Sequence, residues 1–234
     1  LAARAAQRVG AGLVTLGVPE EAWEIYASAC ESIMVRKADN SQILKQIISD
    51  SRIDSIGIGM GLGRDASRIE LIAEMMSKNL PSVLDADGIS LFSSDSNQLA
   101  SILHDKIVLT PHEGEFKRVF GPQTSKIDCK LAKTTYVAGE MGCVVLLKGA
   151  DTVISDPAGN VLINASAPPW LATAGAGDVL SGMITGFMAG GMSPFFAAAS
   201  ATYYHGRAAD AFGPYLIAED LIDMLPEVLV NSLS

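Results

Sequence analysis

Residues 55–88 read SIGIGMGLGRDASRIELIAEMMSKNLPSVLDADG, and this stretch decides the fold. Ile56-Gly57-Ile58 is a short β-rich run, and the glycine-dense loop after it is too flexible to continue a strand. Helix-spaced apolar residues follow, ending near Asn79 before Pro81, and Val83-Leu84-Asp85 is a second buried run. A strand, a helix and a second strand within about thirty residues make a βαβ unit, whose two strands must be parallel.

The pattern repeats outward in both directions. Upstream lie a helix over residues 1–9, the run Leu13-Val14-Thr15-Leu16, a helix over residues 20–29 and the run Ile33-Met34-Val35. Downstream, a further helix leads to Ile107-Val108-Leu109, which Pro111 stops. A helix over residues 127–138, ended by Gly139, leads to Val144-Val145-Leu146-Leu147. Thr152-Val153-Ile154 and Val161-Leu162-Ile163 flank the turn formers Asp156-Pro157-Ala158-Gly159-Asn160, which reads as a hairpin. Alternation of this kind specifies an α/β fold with a mostly parallel central sheet and helices on both faces. No repeat period, low-complexity tract or linker divides the chain, so one domain is expected over residues 1–234.

Composition narrows the function classes. Seventeen Lys and Arg against 26 Asp and Glu leave a formal charge of −9, which argues against a nucleic-acid partner. The 49% hydrophobic and 18% charged content excludes disorder. Cys30, Cys129 and Cys143 are widely spaced and form no CxxC pair, so a reducing compartment, the cytoplasm, is expected. Residues 179–204 carry no charge and are long enough to mimic a membrane span. Gly190-Gly191 and then Ser193-Pro194 divide the run into two shorter helices, so no membrane association is expected. Gly182, Gly186 and Gly190, four residues apart, form a small stripe suited to close packing against a sheet.

Several segments carry chemistry. Gly57, Gly59, Gly61 and Gly63 let a backbone approach a phosphate or sugar, but equally suit a tight turn, and they match neither the Rossmann nor the P-loop spacing. Thr173-Ala174-Gly175-Ala176-Gly177-Asp178 precedes a long apolar helix, whose free N-terminal N–H groups make an anion site. Asp178 there is either the helix N-cap or a general base beside a phosphoryl group. His112, in Thr110-Pro111-His112-Glu113-Gly114-Glu115, stands at a strand's carboxyl end, where open α/β sheets bind ligands. Lys148-Gly149-Ala150-Asp151-Thr152 follows the next strand and offers a cation and a glycine to a nucleotide. Asp85 and Asp87 share a face if the strand runs through both, and would then hold a metal-bound water; otherwise Asp87 caps the next helix.

These segments together resemble the nucleotide-dependent NAD(P)H-hydrate dehydratases of the ribokinase-like superfamily. The resemblance rests on LAARAAQRVGAGLVT (1–15), GIGMGLGRD (57–65), VLDADG (83–88), LTPHEGEF (109–116), LKGADTVI (147–154) and PPWLATAGAGDVLSG (168–182). It implies a ribokinase-like fold and ADP- or ATP-dependent dehydration of the (6S)-hydrates of NADH and NADPH, with Mg²⁺ shielding the phosphates. Asp178 matches the catalytic aspartate. Gly61 and His112, with Asp178, match substrate-binding positions. Lys148, Gly149, Ala150, Asp151 and Thr152, together with Gly175, Ala176 and Gly177, match nucleotide-binding ones. Family members are often tetrameric, usually carry a strand ahead of the first helix and are frequently fused to an epimerase. Met60 stands where relatives often carry Pro. Two other readings use the same residues: a small-molecule kinase of the superfamily, and a non-catalytic nucleotide-binding subunit.

Overall fold

The computed structural model describes residues 1–231. In chain order it comprises α1 (Ala2–Arg8), β1 (Thr15–Val18), a 3₁₀ turn (Glu20–Ala22), α2 (Trp23–Ala29), β2 (Met34–Lys37) and α3 (Ser41–Ile48). Next come β3 (Ile56–Ile58), α4 (Arg68–Met76), β4 (Ser82–Leu84), α5 (Asp87–Ser90), α6 (Ser96–Ala100), β5 (Ile107–Leu109), α7 (Glu113–Thr124) and α8 (Lys130–Met141). The chain continues through β6 (Val144–Leu147), β7 (Thr152–Ser155), β8 (Val161–Asn164), a 3₁₀ turn (Pro169–Leu171), α9 (Ala176–Ala189), α10 (Pro194–Phe212) and α11 (Ala218–Val230).

Strands β3 to β8 form one sheet in sequence order, parallel from β3 to β6 and antiparallel at β7 and β8, while β1 and β2 pair in parallel in a second, two-stranded sheet. Alternation along the strands sorts side chains into two cores. Val83, Val108, Val144 and Leu146 pack under α1, α9, α10 and α11, whereas Leu84, Ile107, Leu109, Val145 and Leu147 pack against the helices between Leu44 and Met141. The sheet is therefore buried on both faces, as continuous apolar strands require.

Two local readings are corrected, and two helices are found that the sequence reading does not include. The helix expected to end at Gly139 runs on to Met141, because Gly142, at φ 63°, supplies the left-handed residue that stops it. Helix α7 carries Gly114, Gly121 and Pro122, poor helix formers that hide it in the sequence; a side-chain capping box at His112 starts it. Helix α3 begins at an Asn40 cap, and its Ile43, Leu44, Ile47 and Ile48 stripe is legible but lay outside the runs first recognised. The glycine stripe faces α1 rather than the sheet: a Cβ at Gly182 would overlap the Ala2 carbonyl, and one at Gly186 would lie 2.6 Å from the Ala6 carbonyl oxygen. The uncharged stretch does divide in two, with Ser193 as cap and Pro194 opening α10. Among the described residues no helix is long and apolar enough to cross a membrane.

Close passage of α1 over α9 thus depends on the missing side chains. Gly182→Ala is expected to destabilise the fold by about 2 kcal/mol, because the clash is with backbone that cannot rotate away. Denaturant unfolding checks this, and an unchanged midpoint would show that α1 does not need that approach.

Candidate functional site

Parallel strands place their carboxyl ends at one edge of the sheet. There the loop after β3 holds Gly59 to Gly63, the corner after β4 holds Asp85 to Asp87, the segment after β5 holds Thr110 to His112, and the turn after β6 begins at Lys148. The Lys148 N–H donates to the Pro111 carbonyl at 2.9 Å, and an isolated parallel bridge pairs His112 with Lys148.

The centre of the cluster is Asp85, only 1% exposed. Its Oδ1 accepts from Lys148 Nζ and from the Ala86 N–H, each at 2.8 Å, and its Oδ2 accepts from Ser181 Oγ at 2.6 Å. Thr110 Oγ1 lies 3.4 Å from Ser181 Oγ. One carboxylate so joins the β4 corner, the turn after β6 and α9.

This overturns the shared-face reading of Asp85 and Asp87. Strand β4 ends at Leu84, and Ala86, at φ 50° and ψ −120°, turns the chain so that the two carboxylates serve different elements. Asp87 is the first residue of α5 rather than its cap; its Oδ2 accepts from the Gly63 N–H at 3.1 Å and its Oδ1 from Arg64 Nε at 2.9 Å, which anchors the glycine loop. Gly59, at φ 117°, has no room for a side chain, since a Cβ would overlap the Asp85 carbonyl. Gly61, at φ 70°, faces open space.

Helix α9 starts from Gly175, whose φ of 86° no L side chain adopts readily. Asp178 is therefore the third helical residue and not the N-cap. The Ala176 N–H reaches the Thr173 carbonyl at 3.3 Å, leaving those of Gly177 and Asp178 without a partner inside the helix. A Cβ at Gly177 would sit 3.3 Å from Lys148 Nζ, so the lysine lies over this helix end. The Asp178 carboxylate is half-buried and accepts no hydrogen bond from the described residues. Burial first, and the Asp85 charge second, push its pKa above the usual carboxylate value, against the lowering influence of Lys148.

His112 caps α7. Its Nδ1 accepts from the Gly114 and Glu115 N–H groups at 2.9 and 3.3 Å, while Glu115 Oε2 accepts from the His112 N–H at 2.9 Å. With Nδ1 engaged as acceptor, the neutral ring carries its proton on Nε2, on a side chain 55% exposed. The turn of Gly149, Ala150 and Asp151 is held by Lys130, whose Nζ donates to the Asp151 carbonyl at 2.6 Å and its carboxylate at 2.9 Å, and pairs with Glu113 at 3.2 Å. Lys130 keeps the Asp151 carboxyl below its ordinary range. Thr152, on β7, donates to the Gly149 carbonyl at 3.2 Å.

The sequence-derived residues therefore gather at one edge of the sheet. Asp85 as the hub, Ser181, Thr110 and Lys130 were not foreseen. Ser181 left one signal, a hydroxyl three residues after Asp178 in an otherwise uncharged helix. Lys130 left none, because its partner is 21 residues away. Two open grooves, of about 420 Å³ beside Trp23 and about 410 Å³ between β8 and α10, share no lining residue with this cluster. The chemistry lies at the strand ends, where charge, glycine loops and a helix N-terminus converge.

A mostly parallel sheet with a helix N-terminus, a carboxylate and a lysine at its carboxyl edge defines a ribokinase-like α/β protein. The family model for NAD(P)H-hydrate dehydratase matches residues 1–230, and the chain belongs to that family. The bifunctional NAD(P)H-hydrate repair enzyme of Moorella thermoacetica is 39% identical over 99% of the chain and 46% of the relative, so the chain spans about half the length of the curated relatives it matches. The ADP/ATP-dependent NAD(P)H-hydrate dehydratase of Bacillus subtilis, co-crystallised with ATP and Mg²⁺, superposes with a TM-score of 0.80 at 27% identity, covering 98% of this chain and 83% of that one. Hydroxyethylthiazole kinase of Pyrococcus horikoshii shares the fold, with a TM-score of 0.70 at 22% identity over 97% of this chain and 92% of that one.

Ala86 occupies a conformation that costs a non-glycine residue about 1–3 kcal/mol. Ala86→Gly is expected to raise unfolding free energy by about 1 kcal/mol despite glycine's freer unfolded chain; a loss of stability would show that the corner is unstrained.

Proposed function

We propose that the chain is a single dehydratase domain that uses ADP or ATP to remove water from the (6S)-hydrates of NADH and NADPH. The observation that carries this reading is the convergence of Asp178, the open N–H groups of α9 and Lys148 on one point. Helix N–H groups and a lysine receive the nucleotide's phosphates. Asp178 takes the proton of the hydrate's hydroxyl, that oxygen attacks the terminal phosphoryl group, and the bond to the nucleotide breaks. The ring-nitrogen lone pair then expels phosphate from its carbon, and loss of a proton from the adjacent ring carbon restores the double bond of the dihydronicotinamide. Gly61 and the Nε2–H of His112 would hold the hydrate, and residues 148–152 with Gly175 to Gly177 the nucleotide.

Among the described residues no group of three His, Cys, Asp or Glu forms a metal cage. Asp85 is committed to Lys148, Ser181 and the Ala86 N–H. Mg²⁺ would arrive with the nucleotide and neutralise its phosphate charge.

The surroundings of the site bear on partners. Strand β8 is a sheet edge with exposed Leu162 and Ile163 beside exposed Tyr203, a surface suited to a second copy of the chain. The longer relatives are named bifunctional, and the activity expected beside this one is an epimerase that supplies the (6S) form. Its setting is the reducing cytoplasm, which suits three free cysteines.

The test is recovery of NADH near-ultraviolet absorbance from its purified hydrate with Mg²⁺ and ADP or ATP. A stable phosphorylated product would instead mark a small-molecule kinase, and nucleotide binding without turnover a non-catalytic subunit. Asp178→Asn is expected to lower kcat by about 10²–10⁴-fold with nucleotide affinity nearly unchanged; retained turnover removes Asp178 from the mechanism. Because the base must be ionised, activity should fall on the acid side at a higher pH than an ordinary carboxylate would dictate. His112→Ala, losing one hydrogen bond worth about 1 kcal/mol, is expected to raise the hydrate KM roughly fivefold, and an unmoved KM would exclude that contact.

A further inference from the structure

We propose that Asp85 is a positioning residue for this reaction, holding Lys148 at the phosphate end of the site and setting the charge balance around the Asp178 carboxylate. The inference rests on the reading of Asp178 and Lys148 given above. Its geometry is independent of that reading. Asp85 is fully enclosed, yet both its oxygens are engaged, one by the Lys148 ammonium and the Ala86 N–H, the other by Ser181. Ser181 stands one turn beyond Asp178 on the same face of α9. The buried carboxylate thus lies behind the half-buried one, with the lysine bonded to the first and seated over the helix end that carries the second.

Two carboxylates brought this close oppose each other's ionisation, and a cation beside them relieves it. Burial and the Asp85 charge raise the pKa of Asp178, while Lys148 lowers it. The other elements around α9 add little charge at this point. Strand β3 is Ile-Gly-Ile, and α11 presents Ala218 beside Gly175. His205 on α10 is buried near Ala176, and its desolvation holds its pKa at about 4, so it is uncharged above that value. Asp85 and Lys148 thus act in opposite senses on how strongly Asp178 holds a proton, on top of the raising effect of its burial. By fastening the lysine, Asp85 prevents that cation from pairing with the base itself, which would leave the base too weak to take a hydroxyl proton.

The pair predicts opposite displacements. The probe is the ¹³Cγ signal of Asp178 in the full chain without nucleotide, assigned by its absence from Asp178→Asn and followed as a function of pH. Asp85→Asn, which removes the raising charge and leaves Lys148 unbalanced, should move the midpoint down by about one pH unit. Lys148→Met, which removes the lowering charge, should move it up by a smaller amount. Ser181→Ala alters no charge and should leave it in place. If one of the two charge variants fails to fold, the other decides the matter. A midpoint that stays put in the folded charge variants overturns the proposal, as does a Ser181→Ala displacement equal to that of Asp85→Asn. The titration needs no turnover: failure of the wild-type chain to restore NADH would overturn the function reading alone.

Discussion

A charge buried as deeply as Asp85 survives only if every lone pair finds a donor. The lysine, the serine hydroxyl and the adjacent N–H meet that requirement, and each comes from a different part of the fold. Removing a partner from such a buried pair typically costs about 3–5 kcal/mol, because the remaining charge cannot reach water. The corner after β4, the turn after β6 and α9 are consequently fixed relative to one another by a single side chain.

Strain gathers at the same corner. Ala86 adopts a backbone conformation suited to glycine, and Gly59 passes so close to the Asp85 carbonyl that no side chain fits between them. The result is that Asp85 turns inward while Asp87, two residues on, turns outward to anchor Gly63 and Arg64. One tight turn so fixes both the charged interior of the site and the loop that closes its rim. On the far side Lys130 does comparable work, binding the turn of residues 149–151 to the start of α7 through Asp151 and Glu113. Rigid loops at the ends of a rigid sheet are what a site needs when catalysis is chiefly positioning and charge stabilisation.

Much of this was legible in sequence, and the division has physical reasons. Strands β5 and β6 show as apolar runs because a sheet covered on both faces must bury every residue of its central strands. The helix break at Gly190 to Pro194 follows from local backbone chemistry and was read correctly. Helix α7 was missed because its capping residue is a histidine and its interior holds Gly121 and Pro122; tertiary packing of Phe116, Val119 and Phe120 overrides that weak propensity. Candidate residues such as His112, Lys148 and Asp178 were visible because each follows a strand or opens a helix. Asp85's true partners were not, since they lie 63 and 96 residues away and nothing local records such a pairing.

The shared fold of kinases and dehydratases also has a chemical reading. A base at a helix N-terminus beside a lysine activates a hydroxyl toward phosphorus whatever molecule carries that hydroxyl. In the proposed reaction the hydroxyl sits on a carbon adjacent to a ring nitrogen, and the nitrogen lone pair expels the phosphate once it has formed. A sugar or vitamin alcohol has no such lone pair in place, so the same step stops at a stable ester. Elimination from the hydrate is completed when the adjacent ring carbon gives up a proton, a loss that the iminium left by phosphate departure makes easy. Under the proposed reaction, the glycine loop and His112 would select the substrate, while Asp85, Lys148 and Asp178 would perform chemistry common to the fold.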